Sequence, residues 1–423
     1  MEKILGISRK IIPRPIFEFF QPAYHMLLAW AAALWYGFPS RKIKVIGVTG
    51  TKGKSTVVYL IAKLFEGAGE SVASIGSLGY KIKSQEWPNT AENTMPGRFK
   101  LQKFLWNAKR AKVKYVVLEV TSEGIKQFRD FGINFDCAIF TNLEPEHIER
   151  HGSFENYYKA KQKLFKKTKN IHLINKGDPY SNLFSGFPAK TKIFYSNEDV
   201  RGLRHNFLGF FNEWNIAAAV AAVQIYGISL ARIKPVLENM PPPPGRLQEI
   251  KADQNFRVFI DYAHTPNSLR NVYETLRKEF AISKSKKLSP ELVEGMPRLI
   301  CVLGAAGGNR DKWKRPEFGK IAAEYCDEII LTNEDPYDET PEKIIEEIFS
   351  GIHQVQSSKF KVQKLVDRGE AIKKALEMAR EDDIVIITGK GSETSIREAG
   401  DRKIPWSDKN VIMELLQQLR GKG

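Results

Sequence analysis

The 423-residue sequence predicts an α/β protein with mainly parallel sheets. It divides into a central domain over 44–244 and a second α/β domain over 245–423, behind a short apolar and basic segment at 1–43. Three observations predict this. Short β-branched runs alternate with longer helical stretches, the pattern of sheets covered by helices on both faces. A glycine-rich turn joins one such run to a helical pattern in "VIGVTGTKGKSTVVYLIAKLF", residues 45–65. Four prolines and a glycine, Pro241 to Gly245, then break the alternation, because proline cannot continue the preceding helix.

Taken in order, the strand-like runs of the central domain are Lys44–Val48, Tyr115–Val120, Cys137–Thr141 and Ile171–Asn175. Beyond the prolines they are Arg257–Ile260, Arg298–Leu303, Glu328–Leu331 and Asp383–Thr388. Between the first two of these, the polar, proline-bounded "ISKSKKLSPELVEGMP" predicts a surface loop insertion. No internal repeat is present.

Ahead of the first strand, Phe17–Phe38 is rich in aromatic and apolar residues and is flanked by Arg9, Lys10, Arg14, Arg41, Lys42 and Lys44. Its unbroken apolar part, Met26–Tyr36, is shorter than the roughly 20 residues that span a bilayer. The segment predicts either a helix packed on the following domain or an interfacial membrane anchor. It lacks the cleavage site of a signal peptide.

Sixty-five lysines and arginines against 49 acids leave a formal charge of +16, which suits a generally solvated basic surface and would attract nucleic acid, an acidic membrane face or an acidic nucleotide substrate. The lysines are scattered without the basic–aromatic pattern of a nucleic-acid reader, so no nucleic-acid partner is expected. Three widely spaced cysteines, Cys137, Cys301 and Cys326, form no CxxC pair. They predict neither a zinc site nor a disulfide framework, and a reducing cytoplasm.

The turn after the first strand has the layout of a phosphate loop, Thr-Gly-Thr-x-Gly-Lys-Ser, although Val48 stands where the strict spacing has glycine. Backbone N–H groups of Thr49, Gly50, Thr51, Lys52 and Gly53 would wrap phosphate oxygens. Lys54 would neutralise the β- and γ-phosphates, and the Ser55 hydroxyl would ligate Mg²⁺. Glu119 ends an apolar strand, where α/β sheets place their ligands, and His147 follows another strand end after a turn.

Eight ordered segments then carry a resemblance: "GVTGTKGKST", "LEVTSEGI", "TNLEPEHIERHGSFENYYKAKQKLF", "GFFNEWNIAAAVAA", "PGRLQEI", "FIDYAHTPNSL", "GAAGGNRDKWKRP" and "ITGKGSE". In this order they resemble the Mur ligases, ATP-dependent amide-forming enzymes of peptidoglycan synthesis. "DYAHTP" favours the MurE type, which adds the third amino acid to UDP-N-acetylmuramoyl-L-alanyl-D-glutamate. The resemblance implies a P-loop ATPase-like central domain and a Rossmann-like C-terminal domain. It implies ATP and Mg²⁺, with Lys54, Glu119, His147 and Lys161 as catalytic residues. Ser55, Glu119, His147 and Lys161 would hold metal, the lysine as a carbamate formed from bicarbonate. Thr56, Asn142, Asn212 and Asn215 would line the nucleotide site beside the loop, with Arg246 and Asp261 as ATP contacts from the C-terminal domain. Thr94, Thr121 and Arg129 match positions that hold the acceptor. Arg310, Asp335, Gly389 and Glu393 match positions around the incoming amino acid. The location implied is cytoplasmic, with a peripheral contact at the inner membrane face through 17–38 as an added option.

Three departures bear on specificity. Relatives of this type carry about a hundred residues before the loop, forming a uridine-nucleotide domain, whereas 43 residues precede the first strand here. Where the diaminopimelate-adding form has Asp-Asn-Pro-Arg, this chain has Glu334-Asp335-Pro336-Tyr337, losing a guanidinium for the distal carboxylate. Thr121-Ser122-Glu123-Gly124 and Ser392 also depart from the family pattern. The added amino acid is therefore diaminopimelate, lysine or similar. The alternatives are a different acceptor (a lipid-linked muropeptide, a polyglutamate or a cyanophycin-like chain) or a non-catalytic membrane-associated ATP-binding module.

Overall fold

The computed structural model describes residues 14–89, 93–146, 151–280, 297–308, 310–355 and 360–420. The predicted insertion at 282–297 lies, but for its last residue, outside them, and so does His147. The chain forms two compact units, residues 1–205 with 211–240, and residues 206–210 with 241–423.

In the first unit, helix α1 (Arg14–Trp35) precedes β1 (Lys44–Thr49), the glycine-rich turn and α2 (Lys54–Gly67). Then follow β2 (Val72–Gly76), β3 (Gly79–Ile82), β4 (Gln85–Trp87), α3 (Arg98–Arg110), β5 (Tyr115–Glu119) and the short α4 (Ser122–Lys126). The unit continues through β6 (Phe135–Phe140), α5 (Phe154–Lys167), β7 (Ile171–Asn175) and β8 (Thr191–Tyr195) to α6 (Phe210–Gln224) and α7 (Leu230–Glu238).

The eight strands order as β4-β3-β2-β5-β1-β6-β7-β8, parallel except for the β2–β3–β4 meander at one edge. Strands β1 and β5 are buried on both faces, which is why they read as unbroken apolar runs. Register pairs Val48 with Glu119 and Thr49 with Phe140. The carboxyl ends of β5, β1 and β6 therefore lie side by side, the edge at which open α/β sheets bind ligands. Helix α1 buries Ala29, Ala32 and Ala33 and packs on α3, as the packed-helix expectation had it for one face.

The second unit holds β9 (Gln248–Ile250), β10 (Arg257–Asp261), α8 (Pro266–Glu279), β11 (Leu299–Leu303), α9 (Lys314–Tyr325) and β12 (Glu328–Leu331). After them come α10 (Pro341–His353), β13 (Lys361–Lys364), α11 (Arg368–Met378), β14 (Ile384–Thr388), the β15–β16 hairpin (Ser395–Arg397, Lys403–Pro405) and α12 (Asp408–Arg420). Its six-stranded sheet, β13-β12-β11-β14-β10-β9, is parallel but for β9. Both sheets bear out the α/β expectation.

One expectation is overturned. Cys301 and Cys326 form a disulfide. Cys301 lies in β11, and Cys326 ends α9 just before β12, the hydrogen-bonded neighbour of β11. The right-handed strand–helix–strand path folds residues 25 apart back to a Cα separation of 6.1 Å. Cys137 stays a buried free thiol.

Candidate active site

The glycine-rich loop is clamped from two sides. Gly50 has φ +152°, and a Cβ there would lie 1.9 Å from Thr141 Oγ1. Gly53 has φ +77°, and its Cβ would lie 2.2 Å from Asn215 Oδ1. The segment after β6 supplies most of the clamp. Thr51 N donates to the Asn142 carbonyl at 2.9 Å, and Lys52 N to Asn142 Oδ1 at 2.7 Å. Lys52 Nζ also pairs with Glu146 at 2.9 Å. From α5, Tyr157 OH meets Thr51 Oγ1 at 3.1 Å, and Lys161 Nζ donates to the Gly50 carbonyl at 2.6 Å. Lys54 Nζ lies back across the loop on the Thr51 carbonyl at 2.8 Å. Asn215 donates to Asn212 Oδ1 at 2.9 Å, so both predicted asparagines sit against the loop, while Thr56 is buried one turn into α2.

Oxygen donors gather beside the loop. Ser55 Oγ is 3.1 Å from Glu119 Oε1 and 2.7 Å from Ser77 Oγ, and Ser77 N donates to Glu119 Oε2 at 2.9 Å. Glu119 is buried and pairs with no cation among the described residues. A buried carboxylate beside two hydroxyls is a hard-oxygen donor set that fits Mg²⁺. Lys161 is also buried, and burial, aided by the charge of Lys54, holds its amine well below the usual lysine range. The neutral amine is the form that reacts with CO₂, and burial favours it, so this residue fits the expected carbamate.

The three predicted acceptor residues surround Met95. Thr121 caps α4, accepting from Gly124 N at 3.1 Å, while its own N–H faces Met95 Sδ at 3.4 Å. Thr94 is half-buried next to Met95, and Arg129 donates to the Met95 carbonyl and, at 2.8 Å, to Gln127 Oε1. Arg98 joins them, donating to the Gln127 carbonyl, with its Nε buried and unsatisfied. Burial, then the neighbouring Arg129, lowers the Arg98 guanidinium to about 10. Two such close guanidiniums have the chemistry to hold an anion.

In the second unit, Asp261 ends β10 and accepts from Leu247 N and Ala263 N, each at 2.7 Å. Arg246 lies with its guanidinium 4.3 Å from the Tyr262 ring centroid. On the same strand edge, buried Lys390 donates to Asp335 Oδ1 at 2.7 Å and Glu393 Oε2 at 2.6 Å. Tyr262 OH donates to Glu393 Oε1 at 3.0 Å. Gly389 lets Glu334 approach, since a Cβ there would be 2.4 Å from Glu334 Oε2. Burial, then Asp335, pushes the Glu334 carboxyl up to about 7. Asp335, Gly389 and Glu393 are thus brought together, whereas Arg310 is exposed, its guanidinium 6.0 Å from the Tyr337 ring centroid.

The model described as the Mur ligase middle domain matches residues 48–204, and that described as the Mur ligase, glutamate ligase domain matches 245–391. The chain belongs to the Mur ligase family. Among relatives of this Mur ligase, the UDP-N-acetylmuramoyl-L-alanyl-D-glutamate–2,6-diaminopimelate ligase of Aquifex aeolicus is 37% identical over 92% of this chain and 80% of its own length. The ligase of the same name from Syntrophomonas wolfei is 33% identical over 95% of this chain and 83% of its own. A solved structure with that enzyme name superposes with a TM-score of 0.57 at 27% identity, covering 89% of this chain and 79% of that one. Mycobacterium tuberculosis folylpolyglutamate synthase complexed with ADP shares the fold, with a TM-score of 0.67 at 15% identity over 86% of this chain and 92% of that one. The expectations of this family and of a ligase are borne out.

Several residues that shape the Mur ligase site were not singled out from sequence. Ser77, Tyr157, Arg98 and Glu146 in the first unit, and Lys390 in the second, come to the predicted residues of their own unit from other elements or neighbouring positions. His151, in the same "HIERHG" stretch as His147, is buried with Nε2 3.1 Å from Ser122 Oγ.

Proposed function

We propose that the chain is an ATP-dependent, ADP-forming ligase that joins an amino acid to the D-glutamate of a muramyl dipeptide in peptidoglycan precursor synthesis. The observation that carries this is the convergence of Lys54, Ser55, Glu119 and Lys161 on one phosphate loop at the carboxyl ends of β1 and β5. The naming of relatives over more than nine-tenths of the chain supports it.

The acceptor carboxylate would attack the γ-phosphorus of ATP, forming a carboxyl–phosphate bond and releasing ADP. The amino group of the incoming amino acid then attacks the acyl carbon and phosphate leaves with the bonding pair. Loop N–H groups and the Lys54 ammonium hold the phosphates and offset their charge against the incoming carboxylate. Ser55 and Glu119, with His147 and a carbamylated Lys161 as expected partners, would hold Mg²⁺, which supplies charge neutralisation to the phosphoryl oxygens. Asn142, Asn212 and Asn215 shape the nucleotide side of the loop, with Arg246 and Asp261 as further nucleotide contacts. Arg98, Arg129, Thr94 and Thr121 would bind the anionic acceptor. Asp335, Gly389, Glu393 and Arg310 would orient the amino acid, diaminopimelate or, with Tyr337 in place of an arginine, lysine or a similar one.

A second reading keeps the chemistry but takes a lipid-linked muropeptide. Its support is the apolar helix α1, which leaves Leu27, Trp30 and Leu34 exposed on the unit that carries Arg98. With it goes a cytoplasmic enzyme in peripheral contact with the membrane through 17–38. No helix among the described residues is long and apolar enough to cross a membrane. Mass spectrometry tests both readings, with ATP, Mg²⁺, bicarbonate and UDP-linked or lipid-linked dipeptide, and all amino acids plus diaminopimelate competing. The proposal expects a mass gain of one amino acid with one ADP per product. ATP bound without any gain on either acceptor overturns it.

A further inference from the structure

We infer that helix α1 docks the protein on an anionic lipid surface, its outer apolar stripe entering the headgroup boundary. This deepens the membrane contact proposed above and is independent of the ligase chemistry.

The helix is apolar on two opposite faces. Ala29, Ala32 and Ala33, at helical spacing, are buried against the first unit. Leu27, Trp30 and Leu34 recur at three- and four-residue steps on the other side and are 65%, 52% and 53% exposed. Met26 and Trp35 widen the stripe. Nothing charged interrupts it: between Glu18 and Arg41 the sequence has no Asp, Glu, Lys or Arg. An apolar stripe of this width on one surface helix marks a binding face.

The occupant follows from the charge around it. Arg41 and Lys42 are exposed just beyond the helix, and Lys103 and Arg110 are exposed on α3, the helix on which α1 packs. No acid occurs from residue 19 to 65, nor from 93 to 118, so these two segments contribute cations alone. A second copy docked through the same stripe would bring these cations face to face. A bilayer carrying anionic headgroups neutralises them, while its acyl boundary takes the leucines. The aromatic residues have the placement of an interfacial belt. Tyr36 and Trp106 pack with centroids 6.2 Å apart, and Arg110 lies 4.6 Å from the Trp106 centroid.

Flotation of the full chain tests this, with vesicles of phosphatidylcholine containing about a third phosphatidylglycerol. The protein should float with these vesicles about tenfold more than with pure phosphatidylcholine, and high salt should reduce the difference. Leu27→Glu with Leu34→Glu, at positions already exposed, should abolish flotation while the circular dichroism spectrum stays unchanged. Arg41→Glu with Lys42→Glu should weaken it on anionic vesicles only. A wild-type chain that stays in the bottom fraction with anionic vesicles overturns the inference, as does flotation unaffected by the two glutamates. A concentration-dependent dimer that the leucine substitutions abolish, without flotation, also overturns it and assigns the stripe to a second copy. Product formation from a soluble acceptor is read on the same preparation, so loss of docking and loss of ligase chemistry are separate results.

Discussion

Lys161 Nζ donates a 2.6 Å hydrogen bond to the carbonyl of Gly50, tying α5 to the phosphate loop. Burial and the charge of Lys54 favour its neutral amine. Lys161→Arg preserves a cation but cannot form a carbamate. It should lower turnover about a hundredfold or more. With ¹³C-bicarbonate, wild type should give a carbamate NMR resonance that the variant lacks. An equal loss of activity with no resonance in either protein would leave Lys161 a loop anchor only.

Glu119 accepts from both Ser55 and Ser77, so its charge and its placement can be separated. Glu119→Gln should raise the half-saturating Mg²⁺ concentration at least about tenfold in turnover titrations, and Ser77→Ala should have a smaller effect in the same direction. Unchanged magnesium dependence in Glu119→Gln would remove this carboxylate from the metal site.

Arg98 donates to the Gln127 carbonyl and Arg129 to the Gln127 side-chain oxygen, so the two guanidiniums lie side by side. Arg98→Ala should raise KM for the acceptor about ten- to a hundredfold and leave KM for ATP unchanged, with partial recovery in Arg98→Lys. A matched rise in both constants would indicate a folding effect instead.

Glu334 titrates near 7 when folded and near the ordinary glutamate value when unfolded. Its protonated form is the one the fold favours, so its contribution is fully present below the unfolded value and is lost as pH rises through about 7. Glu334→Gln should therefore raise Tm more at pH 8 than at pH 5, by a difference on the order of 3 kcal/mol in unfolding free energy. A pH-independent change in the melting curves would contradict this.

The Cys301–Cys326 bond closes a loop of about 25 residues, which by loop-closure entropy restricts the unfolded chain by about 3.5 kcal/mol. Reductant should lower the denaturant midpoint of the second unit, and Cys301→Ala with Cys326→Ala should melt low with or without it. Alkylation of the unfolded, unreduced chain should label Cys137 alone.

The central strands were legible because burial on both faces makes them continuous apolar runs, and the phosphate loop because all its parts are contiguous. What escaped was assembled by pairing. Ser77 reaches Glu119 across 42 residues only because β2 lies beside β5. Tyr157 reads as an ordinary apolar-face residue of α5 until that helix is laid over the loop. Cys301 and Cys326 show no local spacing signal, since their proximity comes from the strand–helix–strand path. Arg98 sits in a lysine-rich helix, where one more cation carries no information.

The glycines of the loop bear on how the motif can be probed. Any side chain at Gly50 collides with Thr141, and any at Gly53 with Asn215, whether or not a nucleotide is bound. An alanine scan through residues 49–55 would consequently distort the cradle at these two positions and leave its N–H donors in place at the others. Only an edit that keeps the backbone's shape while deleting one donor, such as an ester in place of the Lys52 or Gly53 amide, would weigh an individual phosphate contact.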